Sequence, residues 1–151
     1  MKKKNLYQVS EVKLTYVSKI RASERPQIRT SQDAYNAFPN TWGDQIELVE
    51  ECNMLLLNRN NRVIGMFNVS RGGVSGTVVD AKIIFAAALK GLACSIIICH
   101  NHPSHSIQPS KTDIDLTKKL QKAGEALDIA VVDHLIITPY SYCSLADEGL
   151  I

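Results

Sequence analysis

The sequence predicts an α/β domain, a mixed β-sheet flanked by helices. Three observations lead there. Apolar runs rich in Val, Ile and Leu recur at strand length, two long helical patterns alternate with them, and a turn-rich stretch between two such runs marks a hairpin. At 151 residues, 45% hydrophobic and 21% charged, the chain has the size and composition of one globular domain, and no apolar run is long enough to span a membrane.

Taken in order, residues 8–17 partly alternate polar and apolar side chains with β-branched residues, as an edge strand does. A loop with Pro26 follows, and Ser31 is placed to cap a short helix to about residue 38, which Pro39 interrupts. Residues 54–57 and 62–69 flank Asn58-Arg-Asn-Asn61 as the arms of a β-hairpin. A Gly-rich loop, residues 71–76, leads to a second helix over 80–92, capped by Asp80 and so apolar that burial is expected. Residues 95–99, Ser-Ile-Ile-Ile-Cys, read as a central strand. A third helix over 110–127 puts Leu116, Leu120, Ala123 and Leu127 on one face, followed by a strand over 129–138 and a short one over 142–145.

The net charge of +2 is unevenly spread. Residues 1–29 hold eight Lys/Arg against two Glu, and residues 30–151 hold nine against thirteen acidic residues, so +6 sits beside −4. Residues 1–30 therefore read as a basic arm or edge strand, able to make weak contact with nucleic acid, and residues 31–151 as the folded domain. The residues after Met1-Lys2-Lys3-Lys4 lack the apolar core of a signal peptide. The four scattered cysteines form no Cys-x-x-Cys pair and read as reduced thiols in a cytoplasmic protein.

Three of the four histidines fall within six residues, directly after the central strand, in the stretch Cys99-His-Asn-His-Pro-Ser-His105. Residues two apart in extended chain point the same way, so His100 and His102 can offer two imidazole nitrogens to one ion. Catalytic zinc takes three protein ligands and a water, and Asp113 is placed to be the third ligand. Each half has an ordinary reading too: a His-x-His pair can be plain surface histidine, and Ser110-Lys-Thr-Asp113 is a variant of the helix capping box.

Together, His100, His102, Pro103, Ser110 and Asp113 match every fixed position of the JAMM metalloprotease pattern His-x-His-Pro-x6-Ser-x2-Asp. From about residue 45 onward the chain also resembles the bacterial RadC family, whose loop reads His-Asn-His-Pro-Ser and then Pro-Ser-x-x-Asp. Further matches are Leu57-Asn58, Arg62 to Gly65, Val69-Ser70 with Gly72, Asp133-His134 and Asp147 to Gly149. The resemblance implies a JAMM/MPN domain of cytidine-deaminase-like architecture, one Zn²⁺ per chain, and a metallopeptidase long labelled a DNA-repair protein. It places the general base on Glu50; a one-residue strand shift would turn Glu51 to the metal instead, which makes it the alternative base. Ser110 is expected to donate to the oxyanion, with capping of the helix as a second role. His105 stands where the family usually has Gly and is a candidate extra ligand. Asp80-Ala-Lys-Ile83 departs from the family's His-Pro-Arg-Glu, and nothing in residues 1–44 resembles the family's helix-hairpin-helix segment.

The expected function is hydrolysis of an amide bond in a peptide or protein substrate. Rival readings are a DNA-repair accessory or nuclease, a deaminase, and a scaffold without activity. One three-ligand site suits peptide hydrolysis better than the two-metal sites common in phosphodiester cleavage, and the deaminase Pro-Cys-x-x-Cys signature is missing. The intact Glu50, His100, His102, Ser110 and Asp113 weigh against a scaffold.

Overall fold

The structure, a computed structural model, describes residues 10, 13, 15–38, 42–74 and 76–151. Three helices and five strands follow one another as α1 (Ser31–Ala37), β1 (Glu51–Leu57), β2 (Val63–Arg71), α2 (Ala81–Lys90), β3 (Ser95–Asn101), α3 (Lys111–Ala126), β4 (Ala130–Ile137) and β5 (Tyr142–Ser144). The strands form one mixed sheet in the order β2-β1-β3-β4-β5, with β3 parallel to β4 and the other pairs antiparallel. The parallel pair needs a crossover, and α3 supplies it.

Every residue of β1 and β3 is buried, which explains why these strands read as unbroken apolar runs. On one face, Cys52, Met54, Leu56, Ile96 and Ile98 pack against Ile84, Phe85 and Ala88 of α2 and Leu120 of α3. On the other, Leu55, Leu57, Ile97, Cys99, Leu135 and Ile137 are covered by Ile28, Ala34, Phe38 and Trp42. The architecture is thus three layers, two helices on one side and α1 with its flanking segments on the other.

Half of the expected strand over 8–17 lies outside the described residues, and the described ones, 10, 13 and 15–17, form no strand. The basic arm's first nine residues lie outside them as well. Pro26 to Ile28 are tied to the hairpin: Gln27 bridges Arg62, and the Ile28 N–H donates to the Asn61 carbonyl at 2.8 Å.

Several boundaries shift for local reasons. The N-cap of α1 is Thr30, not Ser31, because Thr30 and Asp33 complete a reciprocal capping box. Ser31 instead pairs its hydroxyl with Tyr142 and Asp147. The second helix is buried on one side only, with Ile83 and Leu89 exposed. Leu127 leaves the apolar face of α3 because it is the C-cap: the next residue, Asp128, turns left-handed at φ 54°, and the Ile129 N–H closes back on the Gly124 carbonyl at 2.9 Å. Gly124 is required there, since a Cβ would lie 2.1 Å from the Ile129 carbonyl oxygen. No described helix is long and apolar enough to cross a membrane.

Candidate metal centre

β3 runs two residues beyond the expected strand, to Asn101, and so carries His100 into the sheet. The pleat keeps His100 on the face of Ile96 and Ile98, beneath the start of α3. His102 lies just past the strand end, its backbone N–H held by the Ile137 carbonyl at 3.1 Å. Asp113 arrives from above, at the third position of α3, where its carboxylate closes a capping box. Their ligand-type atoms all lie within 4.8 Å of one another. His100 Nε2 is 2.9 Å from His102 Nε2 and 3.4 Å from Asp113 Oδ1.

Ser110 is the N-cap of α3. Its hydroxyl oxygen accepts from the Asp113 N–H at 3.1 Å and its hydroxyl donates to Asp113 Oδ2 at 2.7 Å. The Ser110 N–H donates to the same Oδ2 at 2.7 Å. That oxygen is therefore occupied by the helix start, while Oδ1 faces His100.

Glu50 precedes β1 and lines the same cleft as His100, His102, Ser110 and Asp113. The register explains the meeting: Cys52 pairs with His100 across β1 and β3, and two residues further out the same antiparallel register brings 50 opposite 102. Partial burial raises the Glu50 carboxyl above its usual range and the Asp113 charge adds to the rise, against an opposing effect of His102. Glu51 faces the other way. It is 2% exposed and its carboxylate takes hydrogen bonds from Asn68 Nδ2 at 2.6 Å and Arg71 Nε at 3.1 Å.

Asn101, between the two histidines, points through the opposite side of the strand and clamps the segment that carries Glu50. Its Nδ2 donates to the carbonyls of Ile46 at 2.7 Å and Val49 at 2.8 Å. Its Oδ1 accepts from Trp42 Nε1 at 2.8 Å. The pleat alternation was the available signal for this residue, but only a folded neighbour could show what it would hold.

His105 sits in the left-handed region at φ 66° and pairs with Glu47 at 2.8 Å, away from the convergent nitrogens. Asp133 and His134 part company. Asp133 ties β4 to the chain end through Ser144 Oγ at 2.6 Å and the Ala146 N–H at 3.1 Å, whereas His134 Nε2 lies 2.7 Å from His100 Nδ1. Burial pushes His100 down to about 4, with His102 adding to it and Asp113 opposing; burial also holds His134 well below its ordinary value. Burial thus favours the neutral form of both rings.

The donor chemistry fits a metal ion. His102 Nδ1 lies 2.6 Å from the Ser106 carbonyl oxygen, which can only accept, so that nitrogen carries the proton and Nε2 keeps a lone pair. This lone pair points into the same space as His100 Nε2 and a carboxylate oxygen, an electron-rich convergence that a cation relieves.

Comparison with known proteins shows the family. The sequence matches the family model described as the RadC-like JAB domain over residues 28–150, earlier in the chain than the resemblance starting near residue 45. A UPF0758 protein of Flavobacterium johnsoniae is 42% identical over 123 residues, 82% of this chain and 53% of the relative. One of Porphyromonas gingivalis is 48% identical over 103 residues, 68% of this chain and 45% of the relative. Another, from Staphylococcus haemolyticus, is 36% identical over 127 residues, 84% of this chain and 55% of the relative. The chain spans about half the length of these curated relatives. With the family model covering all but the first 27 residues and the last one, and its loop seated on the mixed sheet just described, this chain belongs to the RadC-like JAB domain family.

Proposed function

We propose that this chain is a zinc-dependent hydrolase that cleaves an amide bond, in a peptide or an isopeptide linkage. The observation that carries the reading is Glu50 sharing one cleft with His100, His102 and Asp113. Two imidazole nitrogens and one carboxylate suit zinc, whereas magnesium and calcium favour all-oxygen sites. When bound, zinc would supply Lewis acidity toward a carbonyl and make a water acidic near neutral pH. His100, His102 and Asp113 would hold it, one ion per chain.

Glu50 is the base. Its carboxyl, held above the usual range, takes a proton from the water and returns it to the departing amine. Glu51 cannot share the task, because its carboxylate is enclosed on the other face of the sheet. Ser110 serves first as the support of Asp113. As an oxyanion donor, worth about 3 kcal/mol of barrier, its hydroxyl would turn from Asp113 to the substrate. The cleft, at about 340 Å³, lies at the small end for a ligand site, which suits a polypeptide lying across it. The exposed Cys94 thiol fits a reducing compartment such as the cytoplasm.

The test combines elemental analysis of purified protein with an activity screen on peptide and isopeptide libraries, DNA serving as the control. Expected are one zinc per chain, loss of zinc in His100→Ala, and a Glu50→Gln variant that keeps zinc and fold but not turnover. A His100→Ala protein as zinc-rich as the parent would sink the assignment.

A further inference from the structure

Two enclosed groups beneath the candidate metal centre have no part in that mechanism. His134, from β4, and Thr117, from α3, are 1% and 0% exposed. His134 Nε2 lies 2.7 Å from His100 Nδ1, and His134 Nδ1 lies 2.6 Å from Thr117 Oγ1. The same hydroxyl lies 2.6 Å from the backbone carbonyl oxygen of Asp113. The contacts form a chain that starts at one candidate ligand residue and ends at another.

Counting protons gives that chain a direction. A carbonyl can only accept, so the single hydroxyl hydrogen of Thr117 goes to Asp113. Thr117 Oγ1 then has only lone pairs for His134, and His134 Nδ1 must carry the ring proton. A neutral imidazole has one N–H, so His134 Nε2 accepts, and the donor is His100 Nδ1. His100 is left with a bare Nε2, the atom that faces His102 and Asp113.

We infer that Thr117 and His134 are positioning residues that fix His100 as its Nδ1–H tautomer, presenting Nε2 as a ready ligand. Placement supports it: Ile98 pairs with His134 across β3 and β4, which puts the second imidazole beside and below the first, while α3 lays Thr117 one turn beyond Asp113. His102 reaches the same state separately, through the Ser106 carbonyl. Both imidazoles thus have their protons drawn to the outer nitrogen, and neither must shed one to bind an ion. A plain structural polar pair would need no such direction, and its loss would lower stability without touching ion affinity.

The inference rests on the zinc reading only for its affinity arm. Long-range ¹H–¹⁵N correlation spectra of the metal-free protein report which nitrogen of each ring is protonated, and competition with a chelator gives the zinc Kd. Expected are Nδ1–H for both His100 and His134 in the native chain and in Thr117→Ser, whose zinc Kd stays near native. Thr117→Val and His134→Phe should lose the single His100 tautomer and weaken zinc binding by about 10–100-fold. Nε2–H on His100 in the native metal-free protein would overturn the inference, as would unchanged zinc Kd in folded Thr117→Val and His134→Phe. Should Thr117→Val fail to fold, the native spectra still decide. A native chain that takes up no zinc defeats the metal reading, and the tautomer spectra remain the independent measure of the relay.

Discussion

Asn101 Oδ1 accepts the backbone N–H of Glu51 at 2.8 Å, so a residue between two candidate metal ligands fixes the start of β1, next to the candidate base. Asn101→Leu would strand that buried N–H, leave the Trp42 indole only its 3.4 Å contact with the Glu51 carbonyl, and take the donor from two part-buried carbonyls. Each orphaned group costs about 1–3 kcal/mol. The variant should unfold at markedly lower urea than the parent and, where still folded, keep zinc while losing turnover. Native-like activity in a folded Asn101→Leu protein would show that Glu50 does not depend on this clamp.

The two neighbouring glutamates should fail in different ways. Glu51→Leu removes the acceptor of Asn68 and Arg71 and should lower stability, with zinc content unchanged. Glu50→Gln should leave stability near native and remove turnover. Paired urea melts and activity assays read both; turnover lost in a well-folded Glu51→Gln protein would exchange their roles.

Ser110→Ala should cost about 1 kcal/mol of stability, the ordinary worth of an N-cap hydroxyl, because it undoes one half of the box at the start of α3. If the hydroxyl also serves the oxyanion, kcat falls by roughly 10²-fold with KM little changed. A loss of zinc without a loss of kcat in the loaded protein would confine Ser110 to orienting Asp113.

The metal-free protein should weaken on acidification. His100 and His134 are held below the ordinary imidazole value of 6.5 in the folded chain, so the unfolded chain binds more protons as pH drops. Their contribution is present above about pH 6.5 and is lost as pH falls from there toward about 4, where His100 itself titrates. Each histidine adds a slope of up to about 1.4 kcal/mol per pH unit. Urea melts from pH 7.5 to 5 check this; a flat profile would mean the rings are not buried neutral.

Deleting residues 1–25 should leave zinc content intact, since every proposed site residue lies beyond it, and the bridge from Gln27 to Arg62 survives. Any DNA affinity should fall with the arm and show marked salt dependence before truncation. Titration of both proteins at two salt concentrations tests it, and tight, salt-insensitive binding in the truncated chain would favour the DNA-repair reading over the peptidase one.

Much of the sheet was legible because its signals are local. The run 95–99 is apolar without alternation, and Asn58 to Asn61 interrupts two strand-like stretches. The pairing of His100 with His102 follows from pleat periodicity, and Asp113 from its place in the His-x-His-Pro-x6-Ser-x2-Asp spacing, where a capping box is the competing reading. In the sequence, the family resemblance alone favours Glu50 over Glu51; the physical reason, the register of β1 on β3, is a long-range fact that the Cys52 and His100 pairing supplies. Thr30 and Ser31 both carry hydroxyls, and Asp33 three residues after Thr30 decides between them. Thr117 stayed hidden because it reaches His100 only through His134, on a different strand, and the alignment of β3 with β4 depends on how the crossover helix lies.

That crossover has one more implication. The three residues that converge on the ion position all come from a single stretch, 100–113, at the end of β3 and the start of α3, whereas Glu50 arrives from the segment that leads into β1. On the proposed function, capturing a cation and moving a proton are therefore written in separate passages of the chain. Changes within the loop between Pro103 and Pro109 can retune metal preference while the proton carrier stays put, and changes before β1 can silence turnover while the ion stays bound. Such a chain can drift between enzyme and metal-binding module by altering either passage alone.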